Sequence, residues 1–364
     1  MSSKQLQAEL LSLLQLSTPS VSENEFEAIL QSLPSSFNWP YFLERAIATN
    51  LAGYLLPYPE LAEKYYPTQV YQKIKSYQQR ILLHSLQLLE GVKILNDALN
   101  QQGLQHAFLK GCSLLIKKEA HIKSRQVSDI DLLIDPNQQK EVICMLQTLG
   151  ATVKTFHYKS DWHAKQQIEH APIQAVLFGL CIDVHIRLFR TDTNYHIDTH
   201  ELLKEVEYFP FENAMIPLLS KNAAQLFTIL HAHKHLFFGT TFKVGSINDL
   251  YHIEWSELKI LAQSWNANKT FREMEQFSQT WFEGAYARTF LGETVLRFLF
   301  DRPLSLSEKA IFLKRRLINV NGSIMHPKHI IFNVFPQKAY LNNYFGAGSY
   351  LPVWWRRTKN LFRF

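Results

Sequence analysis

Two short stretches of the sequence alternate charged and apolar residues with the two-residue period of a β-strand. They are Ser128–Ile134 (SDIDLLI) and Ile182–Leu188 (IDVHIRL). Because successive side chains on a strand point to opposite faces, each stretch predicts one apolar face directed at a core and one face that carries charges. If the two strands are neighbours, Asp129, Asp131 and Asp183 converge. The chain is therefore expected to fold around a sheet that gathers three carboxylates on one face.

Such a convergence has an electrostatic cost. Two carboxylates ~5 Å apart repel each other by about 3 kcal/mol at an effective dielectric constant of 20. A divalent cation removes this conflict, and hard oxygen ligands suit Mg²⁺ or Mn²⁺, which bind carboxylates together with substrate phosphates. The pattern therefore favours metal-assisted phosphoryl-type chemistry. By the same argument, Asp131→Asn is expected to leave the stability of the metal-free protein unchanged or to raise it.

The remaining sequence predicts helices on both sides of a mixed sheet. Residues 4–102 show helical spacing of apolar residues up to Gly103. Strands are expected over 106–109, 127–135, 152–156, 167–169, 176–178 and 182–188, and helices over 113–118, 136–150, 221–238, 247–264 and 270–299. The predicted fold class is α+β, a mixed β-sheet core flanked by N- and C-terminal helical regions. The expected division is 1–102 helical, 103–215 sheet core and 216–364 helical.

Composition narrows the class of protein further. The chain has 364 residues and a formal charge of +6, a mild basic bias compatible with phosphate-bearing partners. Its three cysteines, Cys112, Cys144 and Cys181, are odd in number and show no C-x-x-C spacing, which argues against a disulfide framework or a zinc knuckle. No apolar run approaches the ~20 residues of a membrane-spanning helix, and the first residues lack a signal-peptide pattern. We therefore expect a cytoplasmic protein without a transmembrane segment.

A further set of residues carries a family resemblance: Lys110-Gly111, Arg125, the Ser128–Leu132 strand and Asp183-Val184-His185. Together they resemble the nucleotidyltransferase superfamily that includes the polymerase-beta-like fold, and more narrowly its family of uncharacterised nucleotidyltransferases. The resemblance covers about residues 104–190. It extends more weakly to His231, His235 and Asp249 in the C-terminal helical part.

The resemblance implies a role for each matching residue. Asp129 and Asp131 would bind the metal ions, and Asp183 would be the third ligand or a base. The residues expected to bind the nucleotide are Lys110, Gly111, Ser113, Arg125, Ser128 and His185. Gly111 would open the backbone for triphosphate oxygens, and a helix starting near Ser113 would direct its N-terminus at them. Many members of the superfamily have Gly-Ser about ten residues before the paired aspartates, whereas Gly111 lies 18 positions before Asp129.

The function that the resemblance implies is transfer of a nucleoside monophosphate from a nucleoside triphosphate to an acceptor, with release of pyrophosphate. The acceptor is a small molecule, a protein or an RNA end, and neither it nor the base of the nucleotide follows from the sequence. The alternative is a catalytically silent module of the same fold that binds a nucleotide or a protein.

Two other patterns allow a structural and a functional interpretation. His231 and His235 stand at the i, i+4 spacing of zinc hydrolases, but Ala232 occupies the position of the catalytic glutamate, which favours a helix packed across the active cleft. The stretch Trp354–Lys359 is either a docked final helix or a surface for nucleic acid or membrane, and we favour the docked helix. The patterns of serine hydrolases, P-loop proteins and Rossmann domains are absent from the sequence.

Overall fold

The computed structural model describes residues 3–118, 124–155, 170–190, 193, 195–238, 244–299, 341 and 350–354. Its first hundred residues are helical, as the spacing of apolar residues predicted. The helices are α1 (Ser3–Leu16), α2 (Glu23–Ser32), α3 (Trp39–Ala48), α4 (Pro59–Tyr65) and α5 (Thr68–Gln101), with a 3₁₀ turn at Ala52–Leu55. Helix α2 begins with a capping box, in which Ser22 and Glu25 each accept a hydrogen bond from the backbone of the other. Gly103 follows α5 with a φ of +65°, a conformation that favours glycine.

Seven strands and three α-helices then follow up to residue 218 in the described part of the chain. The order is β1 (His106–Phe108), α6 (Lys110–Lys117), β2 (Asp129–Ile134), α7 (Gln139–Thr148), β3 (Thr152–Thr155), β4 (Ile173–Leu177), β5 (Leu180–His185), α8 (Thr199–Lys204), β6 (Glu207–Phe211) and β7 (Ala214–Leu218). The C-terminal part comprises α9 (Lys221–Phe238), α10 (Lys259–Ser264), α11 (Asn268–Phe282) and α12 (Phe290–Leu299), with 3₁₀ stretches at Val244–Leu250 and Trp255–Leu258.

The seven strands form one mixed sheet in the order β3-β4-β5-β2-β1-β7-β6. Its centre is the pair β2 and β5, which run parallel, with Asp131 opposite Asp183 and Asp129 opposite Cys181. Strand β1 pairs antiparallel with β2 and parallel with β7. The α+β class is therefore confirmed.

The structure differs from the sequence prediction in several elements. The hairpin of β6 and β7 was not predicted, because Pro210 and Pro217 interrupt the strand pattern, and the sheet thus continues beyond residue 215. Helix α6 begins at Lys110 rather than near Ser113. The single helix expected over 270–299 is two helices, since Gly284 adopts a φ of +77° after α11. The stretch expected as a helix over 247–264 is likewise split. The strand expected over 167–169 and the tail after Trp354 lie outside the described residues.

Each face of the sheet has its own apolar core. Ile130 and Leu132 point from β2 into a core formed with the C-terminal half of α5 and with α7. Leu133, on the opposite face, belongs to a second core, which contains helices from both ends of the chain, with Leu13 and Leu226 among its members. The aspartates of β2 point to this second face. The carboxylates therefore lie beneath the helical layer.

Within the described part of the chain, no helix combines the length and the apolar character needed to cross a membrane.

The 3₁₀ turn at Ala52–Leu55 packs directly against the segment that leads into β2. A Cβ atom at Gly53 would lie 1.9 Å from the carbonyl oxygen of Ser124, so one backbone segment has to move if a side chain is added. We expect Gly53→Ala to lower the free energy of unfolding by about 2–3 kcal/mol. Urea denaturation measures this change. Ser76→Ala on the exposed surface of α5 is the control and should stay within about 0.5 kcal/mol of the wild type; equal values for the two variants would contradict the close contact.

Candidate metal centre

Three carboxylates meet at the centre of the sheet. Asp129 and Asp131 lie on the same face of β2, and the register places Asp183 of β5 directly beside Asp131. One oxygen atom from each of the three lies within 4.8 Å of the other two. The set offers three hard oxygen donors on two adjacent strands, which is a donor set that Mg²⁺ or Mn²⁺ prefers. The residues present therefore fit a divalent cation.

Asp131 is the most buried member of this cluster. Its Oδ1 accepts hydrogen bonds from Lys110 Nζ at 2.5 Å and from His185 Nε2 at 2.8 Å, and its backbone carbonyl accepts from Leu109 N–H at 2.9 Å. Burial acts to raise the pKa of Asp131, but the charge of Lys110 and the hydrogen bond from His185 outweigh it, and the pKa lies well below its usual range. Asp131 is thus ionised at neutral pH.

The other two carboxylates have weaker partners. Asp183 accepts a hydrogen bond from Gln174 Nε2 at 3.0 Å, and Asp129 accepts one from Ser128 Oγ at 2.9 Å. Burial, and after it the negative charge of Asp131, raises the pKa of Asp183. The cluster therefore has more negative charge than its protein partners balance, which is the condition that a bound cation relieves.

The positions of Lys110 and Gly111 are fixed by the backbone conformation of Lys110 and by the close packing around Gly111. Lys110 has a φ of +49°, which is unusual for a residue with a side chain. A Cβ atom on Gly111 would lie 2.5 Å from Val127 Cγ1 and 2.8 Å from Arg125 Nη1. Gly111 is thus required for the close approach of α6 to the segment before β2. Ser113 Oγ donates to the carbonyl oxygen of Lys110 at 2.7 Å.

Arg125 is engaged with a carboxylate of the protein. Its Nε lies 2.8 Å from both oxygens of Asp249, and the two side chains are 18% and 5% exposed. Tyr54 is buried beside this ion pair, and burial together with the charge of Asp249 raises its pKa. Arg125 and Asp249 therefore join the segment before β2 to the 3₁₀ stretch at Val244–Leu250.

The two histidines at i, i+4 spacing contact each other. His231 Nε2 and His235 Nε2 are 3.1 Å apart, so that one nitrogen donates to the other. Burial, followed by the charge of Lys110, lowers the pKa of His231 well below its usual value. Helix α9 also brings Phe227 to the site, with its ring centroid 5.9 Å from Lys110 Nζ.

His170 is a residue of this region that the sequence did not reveal. Its ring centroid lies 5.3 Å from that of His185, and its Nε2 is 3.3 Å from Lys234 Nζ. Burial, and then the charge of Lys234, lowers the pKa of His170. No motif marks it, because it lies outside the strands and helices and its partners are distant in sequence.

A cleft of about 490 Å³ lies between α6, β6 and α9. Among the residues that line it are Lys110, Ser113, Lys117, Phe209, Phe227 and Asp249. Lys117 Nζ lies 4.8 Å from the ring centroid of Phe209. Lys110 is common to the cleft and to the carboxylate cluster. Of the residues expected to bind the nucleotide, Lys110 and Ser113 line the cleft. The others are not among its lining residues: Gly111 packs against Val127, Arg125 pairs with Asp249, Ser128 bonds to Asp129 and His185 bonds to Asp131.

Carboxylates that can hold a divalent cation, beside a cleft lined by lysines, suit chemistry on phosphate esters because the cation stabilises the negative charge that develops there. A family model described as uncharacterised nucleotidyltransferase matches residues 30–283, and the chain belongs to this family. The resemblance read from the sequence is thereby confirmed. Neither the curated proteins nor the solved structures include a significant match to the chain.

The partners of Asp131 reverse one expectation drawn from the sequence. Asp131→Asn leaves Lys110 next to a neutral amide in a buried place, so we expect it to lower the free energy of unfolding of the metal-free protein by about 2–4 kcal/mol. This contribution of Asp131 is present above the unfolded pKa of about 3.9 and is lost as the pH falls through the lower folded value. Asp183→Asn is the matched variant. It removes repulsion, keeps an oxygen for Gln174 and should be neutral or stabilising. Urea denaturation without metal compares the two, and equal losses would show that Lys110 does not stabilise Asp131.

The buried histidines predict a second pH dependence. Below the unfolded pKa of about 6.5, the unfolded chain binds a proton at His170 and at His231 that the folded chain does not bind. The free energy of unfolding should therefore decrease as the pH is lowered, by up to about 1.4 kcal/mol per pH unit for each histidine. We expect His231→Gln to reduce this fall between about pH 7.5 and about pH 5.5. Urea denaturation at both ends of the interval measures it, with His84→Gln on the half-buried side of α5 as the control. A slope that His231→Gln leaves unchanged would contradict the shift.

Proposed function

We propose that the protein is a metal-dependent nucleotidyltransferase, which moves a nucleoside monophosphate from a nucleoside triphosphate to an acceptor and releases pyrophosphate. The observation that carries this proposal is the set of three carboxylate oxygens within 4.8 Å of one another in a chain of the nucleotidyltransferase family. Asp129, Asp131 and Asp183 would hold Mg²⁺ or Mn²⁺ on a sheet of the nucleotidyltransferase type. The bound ion would supply neutralisation of the charge that develops on the leaving pyrophosphate.

The side chains of the cluster have different tasks in this reaction. Asp131 is ionised in the metal-free protein because of Lys110 and His185, and so it is ready to act as a ligand. Asp183 Oδ1 accepts from Gln174, which leaves Oδ2 for the cation or for a proton from the acceptor hydroxyl group. We therefore assign Asp183 a role as ligand or base.

The cleft is the proposed place of the nucleotide. Lys110, Ser113 and Lys117 of α6 all line the cleft, with Lys110 Nζ bonded to Asp131 and Ser113 Oγ bonded to the carbonyl oxygen of Lys110 in the metal-free protein. The N-terminus of α6 adds its partial positive charge, which favours phosphate groups. Phe209 and Phe227 provide apolar walls of a kind that packs against a nucleoside. The triphosphate would thus lie along α6 with its reacting phosphate next to Asp131.

The cellular location and the acceptor stay predictions. The cysteines Cys112, Cys144 and Cys181 are free thiols, and the proposed cytoplasmic location rests on the sequence. A small molecule, a protein and an RNA end all carry the hydroxyl or similar nucleophile that the reaction needs.

The position of the transferred label tests the proposal. The protein is incubated with Mg²⁺, a cell extract and ATP, GTP, CTP or UTP that carries the label on either the α- or the γ-phosphate. We expect one nucleotide to transfer the α-label to a component of the extract, while the γ-label appears in pyrophosphate. Asp129→Asn should lower the rate by about a thousandfold or more, because it removes a metal ligand.

The control is Asp135→Asn, which makes the same substitution at an aspartate directly after β2, outside the carboxylate cluster. Its rate should stay close to that of the wild type. Transfer of the γ-label would identify a kinase instead. Binding of a nucleotide without transfer of either label would favour the catalytically silent module.

A further inference from the structure

Lys110 supplies the positive charge of the carboxylate cluster. Its Nζ lies 2.5 Å from Asp131 Oδ1, and the two side chains are 20% and 4% exposed. In the parts of the chain that the structure describes, no other lysine or arginine forms an ion pair with the three aspartates. The guanidinium group of Arg125 forms its ion pair with Asp249. Among the described residues, Lys110 therefore supplies the one ammonium group that is paired with this cluster.

Lys110 and a divalent cation compete for the same carboxylate. Asp131 Oδ1 already accepts from both Lys110 Nζ and His185 Nε2. A cation held among carboxylate oxygens within 4.8 Å of one another would lie close to the ammonium group, and the two positive charges repel each other strongly at such a distance. The ammonium group therefore has to withdraw before the ion reaches its full set of ligands.

The cleft provides space for a second position of the Lys110 side chain. The residue lines the cleft as well as the cluster, and its Nζ lies 5.9 Å from the ring centroid of Phe227 on the far wall. A lysine side chain has a flexible four-carbon stem and a strongly hydrated end group, so it moves between two positions more easily than an arginine does. Its backbone can stay where it is during this movement.

We propose that Lys110 is an exchangeable cation. It occupies the cluster in the metal-free protein, leaves Asp131 when the divalent cation binds, and then presents its ammonium group to the polyphosphate of the nucleotide in the cleft. This inference rests on the proposed function. It makes binding of metal and nucleotide cooperative, because each ligand favours the same position of Lys110, and the coupling is equal in both directions. The protein therefore binds a divalent cation weakly by itself.

Binding of Mn²⁺ to the nucleotide-free protein tests the competition. Titration followed by electron paramagnetic resonance gives the affinity of the wild type, of Lys110→Met and of Lys117→Met. Without the competing ammonium group, Lys110→Met should bind Mn²⁺ about tenfold more tightly or better. Lys117→Met removes a lysine from the same cleft that is stacked over Phe209, and its affinity should match that of the wild type.

If Lys110→Met binds Mn²⁺ as tightly as the wild type or more weakly, the exchange is wrong but the metal site is still supported. Absence of Mn²⁺ binding from all three proteins would overturn the metal site and, with it, both proposals.

A second measurement uses the wild type and so does not depend on the folding of a variant. Acetylation of lysines by an activated ester, followed residue by residue with mass spectrometry, reports how accessible each ammonium group is. Addition of Mg²⁺ without nucleotide should raise the rate at Lys110 several-fold and leave that at Lys117 unchanged. Asp183→Asn should abolish this response. A rate at Lys110 that Mg²⁺ does not change would refute the exchange.

Discussion

The in-register parallel pairing of β2 and β5 is the constraint on which the site depends. It places Asp131 directly opposite Asp183 and fixes which side of each strand faces the helical layer. A shift by one residue in either strand would turn its charged side chains into the core between α5 and α7. Ile130 and Leu132 prevent such a shift, because they are completely buried on the other face. The same alternation that fills one core thus assembles the carboxylates.

The charge of the cluster determines what surrounds it. Burial of carboxylates is costly unless they are paired, and Lys110 and His185 provide the pairing for Asp131. Among the described residues Asp183 has no ionic partner of this kind, and burial, followed by the negative charge of Asp131, raises its pKa. Two aspartates on neighbouring strands therefore differ in protonation behaviour because of contacts made by Lys110 at the start of α6.

Sequence alone was sufficient for features that depend on local patterns. The two-residue alternation predicted strands β2 and β5 and the shared face of their aspartates, and helical spacing predicted the N-terminal helices. Strands β6 and β7 were not predicted, because prolines interrupt their strand patterns. The contact between Lys110 and Asp131 joins residues 21 positions apart, and that between Arg125 and Asp249 spans 124 positions. Neither follows from spacing, and for this reason the structure predicts an effect of Asp131→Asn on stability that is opposite in sign to the one expected from the sequence.

Helix α5 has a consequence for how the protein folds. Its 34 residues span about 50 Å, and Ile74 belongs to the core of the helical layer while Leu95 belongs to the core on the opposite face of the sheet. Gly91 permits close contact with Leu180 and Ile130 from the two central strands. An isolated helix gains most of its stability from packing. Loss of either core would expose one half of α5 and weaken the other half, so we expect the N-terminal helices and the sheet to unfold together as a single cooperative unit.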